Sequence, residues 1–182
     1  MPATKTSKEE ILEKSLQLIW ERGYYQSSFS ELSKACGIRN AHFYYYFKDK
    51  EDLMSQVLRA AHNYFKEKVF SIAYNESVDA SVRLETMLRK LKVLYTRNFA
   101  GCLFGNTVLE AAHADQPFLD VVKLVFKDFV AALKHLFMTN LDEQAAELKA
   151  VQTFQQVQGA LVLTRLFKDT SYILDTLKAV KL

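Results

Sequence analysis

Residues 28–53, SFSELSKACGIRNAHFYYYFKDKEDL, carry the pattern that decides the fold. Ser28 stands three residues before Glu31, the spacing of a capping box, and predicts a short helix that ends at Gly37. A second short helix is predicted over residues 40–47. Two short helices joined by a tight glycine-containing turn make a helix-turn-helix. Glycine suits this turn because a left-handed backbone strains any residue that has a Cβ.

The side chains of this segment divide into an inner and an outer set. The inner set is expected to pack the helices together and consists of Phe29, Leu32, Ala35, Cys36, Ile38, Phe43 and Phe47. The outer set carries hydrogen-bonding groups of the kind that read base edges in a major groove, and consists of Arg39, Asn40, His42, Tyr45 and Tyr46. Three further polar residues, Ser28, Tyr44 and Lys50, flank this outer set, each at or near a helix N-terminus or in the aromatic run. Backbone N–H groups and the helix dipole at such termini favour a phosphate, so these residues are predicted to contact the DNA backbone.

The charge of this region is local. The chain has 182 residues and a net charge of only +3, so composition by itself does not indicate nucleic-acid binding. Residues 1–54 contain eight basic and eight acidic residues and are neutral overall. The basic residues Lys34, Arg39, Lys48 and Lys50 surround the second helix of the motif. The acidic residues Glu9, Glu10, Glu13 and Glu21 cluster on the first helix of the chain, which precedes the motif. This distribution predicts modest non-specific DNA affinity and a shallow salt dependence.

The whole chain has the periodicity of an all-α protein. Apolar residues recur at steps of three and four, strand-like alternation is missing, and glycine (5) and proline (2) are scarce. About nine helices are predicted. The first two begin after the N-caps Ser7 and Ser28. The others span roughly residues 40–47, 50 into the seventies, 78–99, 103–113, 117–138, 142–167 and 171–180.

With these motifs in view, the sequence resembles the TetR (tetracycline-repressor-like) family of one-component transcriptional regulators. The resemblance is dense over residues 7–53 and rests on Ile11-Leu12, Leu18-Ile19, Gly23-Tyr24, Ser27-Ser28-Phe29, Leu32-Ser33, Ala35-Cys36-Gly37-Ile38, Phe43-Tyr44-Tyr45-Tyr46-Phe47 and Lys50-Glu51-Asp52-Leu53. It implies a DNA-binding domain (1–53) and an effector-binding and dimerisation domain (54–182). It also implies phosphate contacts by Tyr44 and Lys50. Lys48 departs from the family pattern, which often has proline there, and adds positive charge next to DNA.

Two long helices predict self-association. The segment 117–138 is apolar over most of its circumference, and the segment 142–167 is similar, so each has two faces to bury. We expect a four-helix bundle between two subunits, with an interface of Phe118, Val122, Phe129, Phe154, Val157, Gly159 and Leu161. Two-fold symmetry would place the recognition helices about 34 Å apart or somewhat more, so the DNA operator should be an inverted repeat.

Large apolar side chains with interspersed polar groups predict a pocket for a small-molecule effector between the remaining helices. The candidate lining residues are Tyr95, Phe99, Cys102, Phe104, Asn106, Glu110, His113 and Phe126. A simple packed core accounts for any one of these residues about as well, and that alternative stays open.

Other function classes find little support in the sequence. It has no phosphate-binding glycine loop, nucleophile elbow or paired catalytic carboxylates, so no enzyme and no cofactor are predicted. The four histidines lack metal-ligand spacing, and no apolar run has the length of a membrane span. Two cysteines cannot build a disulfide framework, so the cytoplasm is the expected compartment.

Two alternatives to an effector-controlled repressor remain. The neutral N-terminal domain leaves room for a helical interaction protein that does not bind DNA. Cys102 stands at a predicted helix start, where the dipole lowers a thiol pKa, so a redox or electrophile sensor is a further hypothesis. A buried cysteine that only packs is the commoner case.

Overall fold

The computed structural model describes residues 7–97, 99–111 and 116–182, and over these residues the protein is all-helical. The helices are α1 (Lys8–Arg22), α2 (Phe29–Cys36), α3 (Asn40–Tyr46), α4 (Lys50–Lys68), α5 (Ala80–Thr96), α6 (Leu103–Ala111), α7 (Leu119–Phe137), α8 (Glu143–Phe167) and α9 (Ser171–Ala179), with a short 3₁₀ helix at Phe70–Tyr74. The described part of the chain contains no strand, and the all-α prediction with about nine helices is confirmed. His113, a predicted pocket residue, lies outside the described residues.

The chain divides into two compact units. The first consists of Met1–His62 and Asn106–Val122, and the second of Asn63–Gly105 and Lys123–Leu182. The division at residues 53 and 54 concerns function rather than packing, and it stays a prediction.

Capping side chains and glycines set the helix ends of the first unit. Ser7 with Glu10 and Ser28 with Glu31 form the two capping boxes that the sequence predicts. Gly37 ends α2 in the left-handed region, with φ 71° and ψ 26°. The Gly37 N–H donates to the carbonyl of Lys34 at 3.1 Å and the Ile38 N–H donates to that of Ser33 at 3.0 Å. This pair of bonds is a Schellman motif, and it turns the chain sharply into α3.

Replacing Gly37 by alanine is expected to destabilise the protein by about 1–2 kcal/mol. A Cβ at this position would meet no atom within 4 Å, so the cost comes from the positive φ and not from a clash. Asparagine tolerates the left-handed region better than alanine, so Gly37→Asn should lose less stability. Urea unfolding of both variants tests this order. Equal losses would show that the turn does not depend on the backbone conformation.

The core of the helix-turn-helix differs from the prediction at one residue. Leu32, Ser33 and Cys36 of α2 are buried, whereas Ala35 is exposed, so the inward orientation predicted for Ala35 is wrong. The inner face follows the three- and four-residue steps from Phe29, and residue 35 falls on the opposite side. The close crossing of α1 and α2 instead uses Cys36, whose Sγ lies 3.9 Å from the Ser15 Oγ.

Aromatic side chains fill much of the second unit. The ring centroids of Phe65 and Phe104 are 5.8 Å apart, those of Phe70 and Phe129 are 5.5 Å apart, and those of Phe129 and Phe154 are 5.3 Å apart. Helix α4 ends at Lys68, earlier than predicted. The 3₁₀ turn that follows buries Phe70 and also Ala73.

Candidate nucleic-acid interface

Two phenylalanines hold α3 in place. Phe43 and Phe47 are buried four residues apart, with ring centroids 5.3 Å from each other. The Phe29 ring of α2 meets Phe43 edge-on at 5.1 Å. Because residues four apart share a helix face, this anchoring turns the opposite face of α3 outward.

The outward face of α3 brings most of the predicted DNA-reading residues together. Arg39, Asn40, His42, Tyr44 and Tyr45 are all exposed, and Tyr45 is 80% exposed. The His42 ring lies 6.2 Å from the Tyr45 ring. This surface combines hydrogen-bonding groups with flat rings, which suits contact with base edges and sugar–phosphate.

Asn40 is tied to the preceding helix. The Ser33 hydroxyl lies within hydrogen-bonding distance of the Asn40 Oδ1 and 3.0 Å from the Ser30 carbonyl oxygen. The oxygen of the Asn40 amide is thus used inside the motif, whereas its nitrogen keeps two donors. Asn40 is therefore better suited to donate to a base acceptor than to bind adenine with both atoms.

Ser28 is already satisfied by hydrogen bonds inside the protein. Its hydroxyl and its backbone N–H both donate to the Glu31 Oε2, at 2.8 and 2.9 Å, and its Oγ accepts from the Glu31 N–H. The bond from the Ser28 backbone is the largest cause that lowers the pKa of Glu31. A carboxylate therefore occupies the α2 N-terminus where the sequence predicts a phosphate.

The two lysines before α4 and at its start differ in environment. Lys48 is exposed, and its backbone N–H donates to the Asp52 Oδ2 at 3.0 Å. Lys50 is half-buried, and its Nζ lies 4.2 Å from the centre of the Tyr24 ring. Burial lowers the pKa of Lys50, while the Glu110 and Glu31 charges oppose that shift.

The sequence reasoning missed a contact that connects Glu110 with the turn between α1 and α2. The Glu110 Oε2 accepts from the backbone N–H of Tyr24 at 2.7 Å and from that of Tyr25 at 3.4 Å. Tyr24 is buried, and its ring centroid lies 5.0 Å from that of Phe118. Burial raises the pKa of Tyr24 to about 12. The turn favours glycine at Gly23, because its φ of 92° lies where residues with a Cβ are strained; a Cβ there would also crowd the Glu110 carboxylate, which would have to move. No local pattern signals this contact, because its partners are 86 residues apart.

The predicted pocket residues fall into both units. Tyr95, Cys102, Phe104, Phe99 and Phe126 belong to the second unit, and Asn106 and Glu110 to the first. Within the second unit Tyr95, Cys102 and Phe104 are buried, whereas Phe99 is partly exposed. Phe126 lines a groove of about 430 Å³ with Val130 and Ala131 of α7. Their assignment to an effector pocket stays a prediction.

Cys102 lies in an environment that suppresses thiol reactivity. It is buried, its Sγ accepts from the Gly105 N–H at 3.4 Å, and burial raises its pKa. A reactive cysteine needs a lowered pKa and access to solvent, so this environment favours packing over sensing.

The described residues contain neither a metal-binding cluster nor a helix that could span a membrane. Within them, no three His, Cys, Asp or Glu side chains are grouped in a way that would hold a metal ion. None of the described helices combines the length and hydropathy that crossing a membrane requires.

The chain itself covers most of the predicted dimer interface. Five of the seven residues are buried within a single chain, namely Phe118, Val122, Phe129, Val157 and Leu161. Phe118 packs on Tyr24 and Phe129 packs on Phe70, which leaves them almost no surface for a partner. Phe154 is half-buried and Gly159 is exposed.

An exposed apolar surface lies next to Gly159, and none of its residues is in the predicted interface set. We call it the α8 apolar surface; it consists of Val162, Leu163, Leu166, Phe167 and Tyr172. The rings of Phe167 and Tyr172 stack at 5.6 Å. Helix periodicity shows that α8 has two apolar faces, but it does not show which of them the chain covers.

The fold and the anchored, polar face of α3 define a helix-turn-helix DNA-binding protein. The family model of bacterial regulatory proteins, tetR family, matches residues 11–57. A TetR transcriptional regulator from Legionella pneumophila has a similar structure, with a TM-score of 0.86 and 26% identity, over 98% of this chain and 96% of that one.

Two further relatives extend the comparison. A helix-turn-helix-type transcriptional regulator from the lacX 3′ region of Lactococcus lactis is 22% identical over 173 residues, 93% of this chain and 88% of that protein. FadR from Bacillus subtilis, solved in complex with stearoyl-CoA, shares the fold with a TM-score of 0.72 and 18% identity over 95% of each chain. Residues 11–57 thus form a tetR-family DNA-binding domain, and over its length the chain is similar to TetR-family transcriptional regulators.

Proposed function

We propose that this regulator is a repressor that binds an inverted-repeat operator as a homodimer and is released by a small-molecule effector. The observation that carries the DNA-binding part is the outward polar face of α3, fixed from behind by the buried Phe43 and Phe47. Rigid anchoring matters because base readout depends on the position of each hydrogen-bonding atom.

Each exposed residue of the motif has a role in this proposal. Arg39, Asn40, His42 and Tyr45 face the base edges, while Tyr44 and Lys48 contact phosphate. Ser28 and Lys50 contact phosphate only in so far as the DNA displaces their internal partners Glu31 and Tyr24. The number of phosphate contacts is therefore small, which agrees with the neutral charge of residues 1–54 and again favours a shallow salt dependence.

The α8 apolar surface supports the homodimer. Five large apolar side chains exposed together on one end of a chain are typical of a protein–protein contact. Gly159, which has open space around it, would let a partner helix approach closely. A homodimer carries two copies of α3, and in this proposal they bind successive turns on one face of the DNA.

Two observations support release by an effector. FadR, a relative in fold, is bound to stearoyl-CoA in its crystal structure, and the second unit here is rich in aromatic side chains. We propose that an effector displaces some of them, shifts α4 and lowers operator affinity. Because its target is the chromosome, the regulator would act in the cytoplasm.

Arg39→Ala is expected to weaken operator binding roughly 10- to 100-fold per half-site, the worth of one good base contact, and so about 100- to 10,000-fold for the homodimer. Arg39 is exposed and its guanidinium makes no capping bond to α3, so the variant should keep the stability of the wild type. Fluorescence anisotropy on DNA from the chain's own upstream region measures the effect.

Arg89→Ala is the matched control, since it removes the same charge from an exposed position on α5. Its affinity should stay within about twofold of the wild type. A wild-type protein that binds no fragment at low salt without effector would contradict the repressor and favour the helical interaction protein.

A further inference from the structure

Glu110 and Lys50 contact the same tyrosine, Tyr24, at different atoms. The Glu110 carboxylate accepts from the backbone N–H of Tyr24 at 2.7 Å, and the Lys50 Nζ lies 4.2 Å from the centre of the Tyr24 ring. Glu110 belongs to α6, whereas Lys50 is the first residue of α4. All three residues belong to the first unit, which also contains the helix-turn-helix.

Lys50 lies inward in this cluster and is half-buried, whereas the neighbouring Lys48 is exposed. The ring of Tyr24 offers the Lys50 ammonium a cation–π contact. Burial lowers the pKa of Lys50, and the charges of Glu110 and Glu31 oppose that shift. A phosphate that pairs with Lys50 must compete with these internal partners.

We propose that Glu110 is a positioning residue that withholds the Lys50 ammonium from DNA phosphate and so sets the salt dependence of DNA binding. This inference rests on the proposed function, since it concerns the same DNA-binding surface. Glu110 acts through Lys50 and does not itself touch DNA. Its carboxylate has two separable effects: its oxygen accepts from the Tyr24–Tyr25 turn, and its charge favours the ammonium of Lys50 beside the Tyr24 ring.

Glu110→Gln separates these two effects. The amide oxygen of glutamine still accepts from the Tyr24 N–H, but the negative charge is gone. Lys50 should then pair with phosphate and add one released counterion per subunit. The slope of log K against log salt, measured on the upstream duplex between about 50 and 200 mM salt, should steepen by about 0.9 per subunit, or about 1.8 per dimer.

Two controls isolate the role of Lys50. In a Lys50→Gln background, Glu110→Gln should no longer change the slope, because the cation that it releases is missing. Glu51→Gln removes the same charge from an exposed position next to Lys50 and should leave the slope close to that of the wild type. An unchanged slope in Glu110→Gln, or a steeper slope that persists without Lys50, would overturn the inference.

A measurement without DNA covers the case in which Glu110→Gln folds poorly. Lys50 in the wild type should react slowly with an amine-acylating reagent, and Tyr24→Leu, which removes the ring but keeps both carboxylates, should raise that reactivity severalfold. Equal reactivity of Lys50 and Lys48 in the wild type would contradict an ammonium held inward. If the wild type binds no duplex at all, the proposed function fails and this inference fails with it. Normal binding with no effect of Glu110 removes only the inference.

Discussion

Phe43→Ala is expected to lower the free energy of unfolding by about 3–5 kcal/mol, the largest effect of any substitution considered. Phe43 is fully buried, and its ring contacts Phe29 and Phe47. Alanine would leave a cavity between α2 and α3 that these rings cannot fill without leaving their rotamers. Urea unfolding followed by circular dichroism measures the loss, and hydrogen exchange should place it in the first unit.

Tyr45→Ala is the matched control on the same helix. It removes a ring of similar size, but from a position that is 80% exposed, so its cost in stability should stay within about 0.5 kcal/mol. Tyr45→Ala should nevertheless weaken operator binding, because Tyr45 faces the DNA in the proposed complex, whereas Phe43→Ala should lose stability and operator binding together. A Phe43→Ala protein as stable as Tyr45→Ala would contradict the assignment of inner and outer faces.

Leu166→Glu is expected to convert the proposed homodimer to a monomer. Leu166 is 69% exposed at the centre of the α8 apolar surface. A carboxylate there would lose its hydration in the interface without gaining a partner, and two-fold symmetry introduces it twice. The dimer dissociation constant should rise at least about 100-fold, and operator affinity should fall with it, since each half-site is then bound separately. Analytical ultracentrifugation measures the first effect.

Val93→Glu controls for the added charge. Val93 is 64% exposed on α5, outside the α8 apolar surface, and its substitution should leave the dimer intact. A dimer that survives Leu166→Glu but not Val93→Glu would move the interface to another part of the second unit.

The parts of the fold that the sequence predicts well are those that depend on neighbours in the chain. The capping boxes at Ser7 and Ser28 and the left-handed turn at Gly37 each involve residues within a few positions. Their spacing is therefore readable directly, and the helix-turn-helix follows from it. The burial of Phe43 and Phe47 follows from the same short-range periodicity.

The parts that the sequence does not predict depend on which distant segment covers a surface. Glu110 is a polar residue among apolar ones, which is typical of a pocket lining. Its carboxylate nevertheless accepts a hydrogen bond from the backbone of Tyr24, 86 residues away in sequence. Phe118 and Val157 are apolar residues of the kind expected in an interface, yet other parts of the same chain already cover both. An apolar face must be covered, but hydrophobicity alone does not distinguish a covering segment of the same chain from a second copy.

Hydroxyl-radical footprinting of the upstream DNA tests most directly whether paired copies of α3 bind successive grooves. We expect two protected tracts on one face of the duplex, in inverted-repeat sequence, with centres about 34 Å apart or somewhat more. A protein with Arg39, His42 and Tyr45 all replaced by alanine should lose both tracts while it keeps its helical content. A single tract, or unchanged protection by the triple variant, would contradict the account.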